Sequence, residues 1–551
     1  MRLGLLLTFL LACSGQSVQP HRVGVRTVDG AGEFYLRDTG ATFTPRGNNF
    51  IRLAPQEAIF GGSVTYHSTF NGGFYDVSDV EAVLTRMEAD GYNTVRVFLS
   101  GVSLQGIGNP AGGLSLAYLT NVADFLQRAQ SHGIFVQITF DFIPQTGGYY
   151  SLLRPTPDIA SRNVFYLTSG GIAAMSRYFT DLVNGLTAVN APLDTVFGWD
   201  LSNELSFDGA ALPFILKLGR VATANGKTYD MASPESRQAM MDEGLIYFID
   251  QVRSAIQKAD PDALVTVSFF HPQGPNPARI GDTRLIRTFP AICCSTADFI
   301  DLHPYITELT LPQYVQNYEL PALSAKPILM GEYGMLRNSG GSAENVAALL
   351  EQWQVDSCAF GFKGWLLWNW DILEQPDANY WSATVDGGII NDALKPSARP
   401  DPCRSTLPEN LGRSASVSVS KEIPTQPAPY AVDGLTSTWW SAGAFPPQWI
   451  ELKLSRPSTV KAIRLLISQF PAGRTIHRLY LRDHDGQLAL LQEFDGVTSD
   501  NQILRWIPDV PLAGVEAIRI ETSLGPSWVS WREIEVLSDD HGDPAITSIR
   551  R

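Results

Sequence analysis

From residue 43 to residue 371 the chain alternates between short apolar runs of strand length and longer amphipathic helical patterns. There are eight strand-like runs, and a crossover follows each of them except the last: 43–52, 92–100, 134–142, 195–204, 263–270, 298–306, 326–334 and 362–371. Parallel strands need such crossovers, and eight of them in succession indicate a closed barrel rather than an open sheet. We therefore predict a (β/α)8 TIM barrel over residues 25–400. The fifth crossover, 271–297, is the least regular and looks rich in loops.

The sequence changes character after a Pro-dense segment, and we place a linker at 401–413. From 414 to 540 the segments are short, alternating and separated by turns, which is typical of an all-β sandwich. Two domains also suit a chain of 551 residues, since a single hydrophobic core rarely grows past about 300 residues.

The N-terminus, MRLGLLLTFLLACSG, has one basic residue and an apolar stretch too short to span a bilayer. Residues 1–13 therefore predict an export signal. Leu10-Leu11-Ala12-Cys13 resembles the bacterial lipobox, which implies lipidation of Cys13 and a membrane contact made only through the lipid anchor. The alternative is an ordinary signal peptide with an incidental cysteine. In either case we expect an exported protein, at the cell envelope in the first.

The formal net charge of −15 argues against nucleic acid and anionic membrane surfaces as partners, because both require a basic face. The spacing of the four other cysteines, Cys293, Cys294, Cys358 and Cys403, lacks the paired CxxC pattern of a zinc site. Outside the cytoplasm disulfides are favoured. We expect at least one bridge at the N-terminal face of the barrel, with the pairing left open.

Two of the barrel strands end in a glutamate. TVFGWDLSNEL (195–205) delivers Glu204, and KPILMGEYG (326–334) delivers Glu332, 128 residues later (332 − 204). A pair of carboxyl groups at the C-terminal ends of barrel strands suits glycosidic cleavage, in which one protonates the leaving oxygen and the other attacks. A single strand-end glutamate is more often a loop or cap residue. Further polar or aromatic side chains follow other strands: Asn48, Asn49, Arg96, Asp141, Asn203, His303, Tyr305 and Trp368.

The Asn-Glu of the fourth strand, the His-x-Tyr of the sixth, the Glu of the seventh and the Trp of the eighth stand in the order seen in clan A glycoside hydrolases. Residues 30–400 resemble family 5 of that clan most closely. The resemblance implies a retaining double displacement, with Glu204 as acid/base and Glu332 as nucleophile. It implies no cofactor for catalysis.

The same resemblance gives roles to five more residues. Asn203 would bind the substrate 2-hydroxyl, and Trp368 would form the floor of the −1 subsite. Tyr305 and Arg96 would hold the nucleophile, and His303 would line the site near the acid/base. Each of three residues has an alternative role. Arg96 could form a plain salt bridge at a strand end, His303 could lie in the core, and Trp368 could pack within the barrel.

The resemblance also sets expectations for the electrostatics. The nucleophile should stay ionised beside a guanidinium and a phenol, and its charge should raise the pKa of the acid/base. The carboxyl groups should lie about 5–5.5 Å apart. The chain departs from the family at Leu205, where proline is usual, and at Asp141, where histidine is common after the third strand. The second departure leaves the sugar specificity open.

The segments YAVDGLTSTWWSA (430–442), WIELKL (449–454) and SWVSWREIEVL (527–537) resemble the discoidin-like (coagulation factor five/eight C-type) fold, which includes family 32 carbohydrate-binding modules. The resemblance implies a structural calcium ion on Asp433, Thr438 and Glu533, whose oxygens suit that ion. A plain turn at Asp433-Gly434 is the alternative. Loop aromatics such as Trp440 are candidates for binding a second glycan, although this fold also binds proteins or lipids.

The expected function is an exported retaining β-glycoside hydrolase acting on a neutral β-linked glycan, of β-mannan or β-glucan type. The alternative is a sugar-binding surface lipoprotein without catalysis, which the presence of both glutamates argues against. An esterase is disfavoured because the sequence has neither a GxSxG nor an HExxH motif.

Overall fold

The computed structural model describes residues 21–538 except 155, 275, 277–283, 307–308, 338, 340–341, 372–379, 406–408, 436–437 and 483–485. The predicted export signal and Cys13 lie outside the described residues.

A closed ring of parallel strands forms the first domain, as predicted. Its strands are β1 (Arg46–Asn49), β2 (Thr94–Leu99), β3 (Phe135–Phe140), β4 (Val196–Asp200), β5 (Val265–Thr266 and Ser268–Phe270), β6 (Ile300–His303), β7 (Ile328–Tyr333) and β8 (Phe362–Leu367). Each strand pairs with the next, and β8 pairs with β1. The first part of β5 pairs with β4 and the second part with β6, which completes the ring. Nearly every residue of these strands is buried, as expected for a parallel sheet covered on both faces.

Helices surround the ring: Val77–Ala89, Leu116–Ser131, Asn163–Leu167, Ser169–Ala188, Pro234–Ala259, Phe289–Cys294, Leu311–Asn317, Ala343–Cys358 and Ile389–Leu394. Ser169–Ala188 shows why they form, since its buried Ile172, Met175, Phe179 and Leu182 recur every three or four residues. The fifth crossover holds only a six-residue helix and the two-residue strand Arg284–Leu285 among its described residues, in agreement with its irregular sequence.

A three-stranded antiparallel sheet, Val23–Val28, Ala31–Leu36 and Thr42–Phe43, covers the N-terminal end of the barrel. Phe34 inserts there with its ring 5.1 Å from that of Phe197 and 5.3 Å from that of Phe299. Because this end is filled with aromatic packing, the C-terminal end is left for a site. Three two-stranded ribbons come from the loops: Leu53–Glu57 with Ser63–His67, Phe207–Asp208 with Arg284–Leu285, and Arg220–Ala222 with Thr228–Asp230.

Two disulfides confirm the predicted bridge and settle its pairing. Cys293 pairs with Cys294 at the end of the short helix that precedes β6, and Cys358 pairs with Cys403. Cys358 ends the helix that leads into β8, so both bridges lie toward the N-terminal ends of the strands. The second bridge ties the segment after the barrel to a barrel helix.

The second domain is an all-β sandwich, as predicted. One sheet has the order Ser416–Val419, Gln448–Val460, Leu512–Leu524, Gly473–Arg482, Leu488–Thr498, and the other has the order Trp440–Ser441, Ser530–Leu537, Ala462–Ile467, Ile503–Trp506. Between them lies a core that includes Trp440, Trp531, Ile450 and Ile520. The expectation that Trp440 binds sugar is therefore wrong, because its ring is fully buried and its Nε1 donates to the Lys421 carbonyl.

Polar contacts join the sandwich to the barrel helix Ala343–Cys358. Arg413 Nη1 lies 3.2 Å from Asp356 Oδ2, and Arg464 Nη2 donates to Asn345 Oδ1 at 3.2 Å. Within the described part of the chain, none of the helices has the length and apolarity needed to cross a membrane.

Candidate active site

The residues singled out at the strand ends meet at the C-terminal end of the barrel. Glu204 follows β4 and Glu332 is the penultimate residue of β7. One carboxyl oxygen of each lies within 4.8 Å of one of the other and of a His303 ring nitrogen. Two carboxyl groups at this separation leave no space for a water molecule behind a bound sugar, which an inverting mechanism needs.

Glu332 is held as an acceptor at both oxygens. Arg96 Nη1 donates to Oε1 at 2.5 Å, and the Tyr305 hydroxyl donates to Oε2 at 2.5 Å. Burial raises the pKa of Glu332, and the net direction stays upward although the charges of His303 and Arg96 oppose it. Because both oxygens already face donors, the ionised carboxylate is the form that this geometry accommodates.

Arg96 is fully buried at the centre of the site and has several acceptors. Besides Glu332 it donates to Asn49 Oδ1 at 3.1 Å, to Asp200 Oδ2 at 3.2 Å and to Asn203 Oδ1 at 2.8 Å. Burial lowers its pKa, but the surrounding carboxylates outweigh that effect and the net direction is upward. Arg96 is therefore a permanent cation that binds both Glu332 and Asn203.

Glu204 is placed by its backbone as well as by its side chain. It has φ 47°, which is uncommon for a residue other than glycine, and its N–H donates to Ser268 Oγ at 3.1 Å. Oε1 lies 3.4 Å from His303 Nδ1, and Oε2 accepts from Arg284 Nη2 at 2.9 Å. Burial raises the pKa of this carboxyl, yet His303 and Arg284 bring it down to about 2. The expected upward shift is therefore wrong for the free protein, because two cations face the group.

His303 lies between the two carboxyl groups. Its Nδ1 is 3.4 Å from Glu204 Oε1 and 3.5 Å from Glu332 Oε1, and its Nε2 is 3.7 Å from Asp301 Oδ1. Burial lowers its pKa, but the three carboxylates raise that pKa to about 10 overall. Glu204, His303 and Glu332 therefore form a network of close charged contacts at the end of the barrel.

Asn203 connects Arg96 to a third carboxyl group, that of Asp141. Its Oδ1 accepts from Arg96, and its Nδ2 donates to Asp141 Oδ1 at 2.8 Å. Burial raises the pKa of Asp141 to about 7, with the charges of Glu204 and Glu332 acting in the same direction. Asp141 therefore places a carboxyl group with a pKa near neutral pH in the wall of the site.

Trp368 is half-buried just after β8, and its ring is edge-on to Phe98 at 5.8 Å and to Tyr380 at 6.4 Å. Trp370 is buried instead and packs edge-on against Tyr92, at 6.3 Å. The two tryptophan side chains have different surroundings although they are two residues apart. The reason is that β8 ends at Leu367, so the regular alternation of side chains along a strand does not extend to them. Two aromatic rings, those of Phe98 and Tyr380, therefore hold Trp368 at the opening of the site.

Sequence reasoning missed three residues of the site. Tyr380 lies 5.2 Å from Tyr305, ring to ring, and His271 lies 5.9 Å from Tyr305. Arg284 pairs with Glu204 from the fifth crossover. Only His271 carried a usable signal, since it directly follows β5.

The residues expected to bind calcium are close together in the sandwich. Thr438 Oγ1 donates to Asp433 Oδ2 at 2.9 Å, and the Gly434 N–H donates to Glu533 Oε2 at 3.2 Å. Glu533 Oε1 is buried and has no hydrogen-bond partner among the residues that the structure describes. Burial raises the pKa of Asp433 to about 6 and that of Glu533 well above its usual range. A buried and a half-buried carboxyl group with an unsatisfied oxygen fit a hard divalent cation.

A cavity of about 640 Å3 opens on the loops of the sandwich. Its lining includes Trp439, Phe445, Phe470 and Trp528, and the side chains of Phe470 and Trp528 are 89% and 51% exposed. Arg532 lies over the Trp439 ring at 5.2 Å and pairs with Asp500 at 2.9 Å. Exposed rings beside a charged pair are the kind of surface on which sugars stack and form hydrogen bonds.

No protein-family model and no curated protein matches the chain. Several solved structures are similar to one of its two parts. An endo-1,4-β-mannanase from Rhizomucor miehei has 18% identity, covering 68% of this chain and 99% of its own, with a TM-score of 0.47. An exo-β-1,4-mannosidase from Opitutaceae bacterium strain TAV5 has 19% identity over 70% of this chain, a TM-score of 0.45, and only 64% of its own length covered. The family 32 module of C. perfringens NanJ, in complex with galactose, has 21% identity over 23% of this chain and 96% of its own, with a TM-score of 0.21.

Proposed function

We propose that the protein is a retaining β-glycoside hydrolase, with Glu204 as acid/base and Glu332 as nucleophile. The observation that carries the proposal is the separation of these two carboxyl groups, with oxygens within 4.8 Å at the C-terminal end of a closed (β/α)8 barrel. Retaining enzymes hold their carboxyl groups about 5–5.5 Å apart, whereas inverting enzymes need about 6.5–9.5 Å.

In the first step Glu332 attacks the anomeric carbon, the bond to the leaving oxygen breaks, and Glu204 gives that oxygen a proton. In the second step Glu204 takes a proton from water, and the water oxygen displaces Glu332 from the anomeric carbon. Arg96 and Tyr305 keep the nucleophile oriented and ionised through their hydrogen bonds to its two oxygens. Asn203, fixed between Arg96 and Asp141, is placed to bind the 2-hydroxyl of the sugar undergoing reaction.

The substrate in this proposal is a neutral β-linked glycan, of β-mannan or β-glucan type. The Trp368 ring frames the sugar that becomes attached to Glu332, and the carboxyl and amide groups around it supply acceptors and donors for hydroxyls. The protein acts after export, held at the cell envelope by a lipid on Cys13 or secreted if that cysteine is not modified.

The sandwich, in our proposal, binds a second glycan or another surface ligand in the cavity beside Trp528 and Phe470, and a structural calcium ion stabilises it through Asp433, Thr438 and Glu533. Removing the two exposed rings by Trp528→Ala and Phe470→Ala should abolish retention on insoluble polysaccharide while leaving hydrolysis of a soluble oligosaccharide unchanged. Retention equal to that of wild type would place the ligand elsewhere.

One observation favours a second candidate, a sugar-binding surface protein without catalysis: Glu204 is ionised and paired with Arg284 in the free protein. Release of reducing sugar from β-mannan, β-glucan, xylan and β-galactan separates the two candidates. Release by the wild type and not by Glu332→Gln supports the hydrolase. Binding to one of these polymers without release by either protein supports the alternative.

A further inference from the structure

Arg284 reaches the acid/base from the fifth crossover, and three separate contacts fix its position. Its backbone pairs with Asp208, four residues after Glu204, in the ribbon Phe207–Asp208 with Arg284–Leu285. Its guanidinium carbon lies 3.5 Å from the centroid of the Phe270 ring at the end of β5. Its Nη2 donates to Glu204 Oε2 at 2.9 Å.

The two oxygens of Glu204 face different surroundings. Oε1 points inward to His303, which also contacts the nucleophile, so this oxygen is enclosed. Oε2 points to Arg284, whose side chain is 42% exposed. The oxygen that protonates a leaving group must be the one on the open side, and in the free protein the guanidinium occupies that position.

This geometry creates a conflict that binding of substrate must resolve. The acid/base has to carry a proton when the glycosidic bond breaks, but a guanidinium at 2.9 Å favours its ionised form. A sugar seated beside Glu204 Oε2 displaces the guanidinium from that oxygen and excludes water. Both changes favour uptake of one proton from solvent by Glu204.

We propose that Arg284 is a positioning residue of the leaving-group subsite, which couples binding of the leaving-group sugar to protonation of Glu204. The inference rests on the proposed hydrolase function. In the free protein Arg284, together with His303, keeps the acid/base ionised. With substrate bound, the guanidinium stays on the Phe270 ring and donates to hydroxyls of the leaving-group sugar.

The test is the pH dependence of kcat/KM on a β-linked oligosaccharide that the wild type hydrolyses. Arg284→Met keeps an unbranched side chain on Phe270 but removes the charge, so the alkaline limb should move up by about 1–3 pH units. Arg284→Lys keeps the charge and should retain the wild-type limb. KM should rise in the Met variant for the oligosaccharide but not for an aryl glycoside that lacks the leaving-group sugar.

Arg474→Met is the matched control, because Arg474 pairs with Asp495 on the exposed face of the sandwich and its loss changes the net charge equally. It should leave the profile unchanged. An unshifted limb in Arg284→Met, or equal shifts in the Met and Lys variants, would overturn the inference while leaving the hydrolase function intact. Absence of hydrolysis by the wild type on every polymer would instead overturn the proposed function, and the inference with it.

Discussion

Arg96 and Glu332 form a 2.5 Å ion pair in which the arginine side chain is fully buried and that of the glutamate is 5% exposed. Buried charges of this kind are destabilising unless each is paired and hydrogen-bonded. Arg96 meets that condition with four acceptors at the ends of three strands, β1, β4 and β7. The pair therefore supports both the fold of the barrel and the orientation of Glu332.

Removing the buried cation should unfold the barrel more readily and abolish turnover. Arg96→Met leaves Glu332 and Asp200 without their shared donor, and we expect a loss of about 3–5 kcal/mol in the free energy of unfolding. Urea denaturation followed by tryptophan fluorescence measures this loss. Arg474→Met, on the exposed face of the sandwich, should leave the denaturation midpoint unchanged. A similar midpoint for Arg96→Met and wild type would contradict the account of the pair.

Glu204→Gln should separate substrates by their leaving groups. The variant cannot supply a proton, so kcat on an oligosaccharide should fall by about 10²–10⁴-fold. The nitrophenolate of a nitrophenyl glycoside leaves without being protonated, so formation of the glycosyl-enzyme should persist. Its hydrolysis should slow, and nitrophenol should therefore appear as a rapid burst. Stopped-flow absorbance detects this burst. Equal losses on both substrates, with no burst, would contradict the assignment of Glu204.

Asp141→Asn should change how stability depends on pH. Folding raises the pKa of Asp141 to about 7, from about 3.9 in an unfolded chain. In the wild type, the contribution of Asp141 to the free energy of unfolding is therefore fully present below about pH 4 and is lost as pH rises through about 7. The Asn variant has no carboxyl group to ionise, so it does not suffer this loss. The difference in free energy of unfolding between the variant and the wild type should therefore grow in favour of the variant as pH rises, by a few kcal/mol at most. Urea midpoints measured across that range test this, and parallel curves would contradict it.

Calcium should stabilise the sandwich. At a free concentration about 100 times the dissociation constant, the gain is about 2.7 kcal/mol, which calorimetry detects as a higher Tm after calcium is added to chelator-treated protein. Glu533→Gln should remove the response, because the substitution takes away a buried charged ligand. Glu493→Gln, on the exposed pair with Arg478, should retain it. Affinity should fall as pH drops, since Asp433 and Glu533 must both be ionised to bind and burial raises the pKa of each. A Tm unaffected by calcium would contradict the assigned site.

The sequence predicted the parts of the site that follow from barrel geometry. Glu204, His303 and Glu332 come together because parallel strands of a closed barrel all end at one rim, so position along the chain was sufficient. The same reasoning placed the disulfides at the opposite end, through Cys358 at the end of a helix.

Contacts made by irregular segments could not be predicted from patterns in the sequence. Arg284 reaches Glu204 through a short antiparallel pairing with Phe207–Asp208, for which the crossover gives no periodic signal. That contact adds to the effect of His303 in lowering the pKa of Glu204. Trp439 and Trp440 show a second limit, because Trp439 lines the cavity, Trp440 lies in the core, and the doublet does not say which ring is inside.

The measurement that tests the account most directly is mass spectrometry of the protein after reaction with an activated 2-fluoro glycoside of the sugar it hydrolyses. The fluorine slows the second step, so the covalent intermediate should accumulate as one added glycosyl mass, located on the peptide that contains Glu332. Glu332→Gln should show no such mass. A hydrolysing protein that carries the label on another residue, or that releases sugar without any covalent intermediate, would contradict the assignment of Glu332 as the nucleophile.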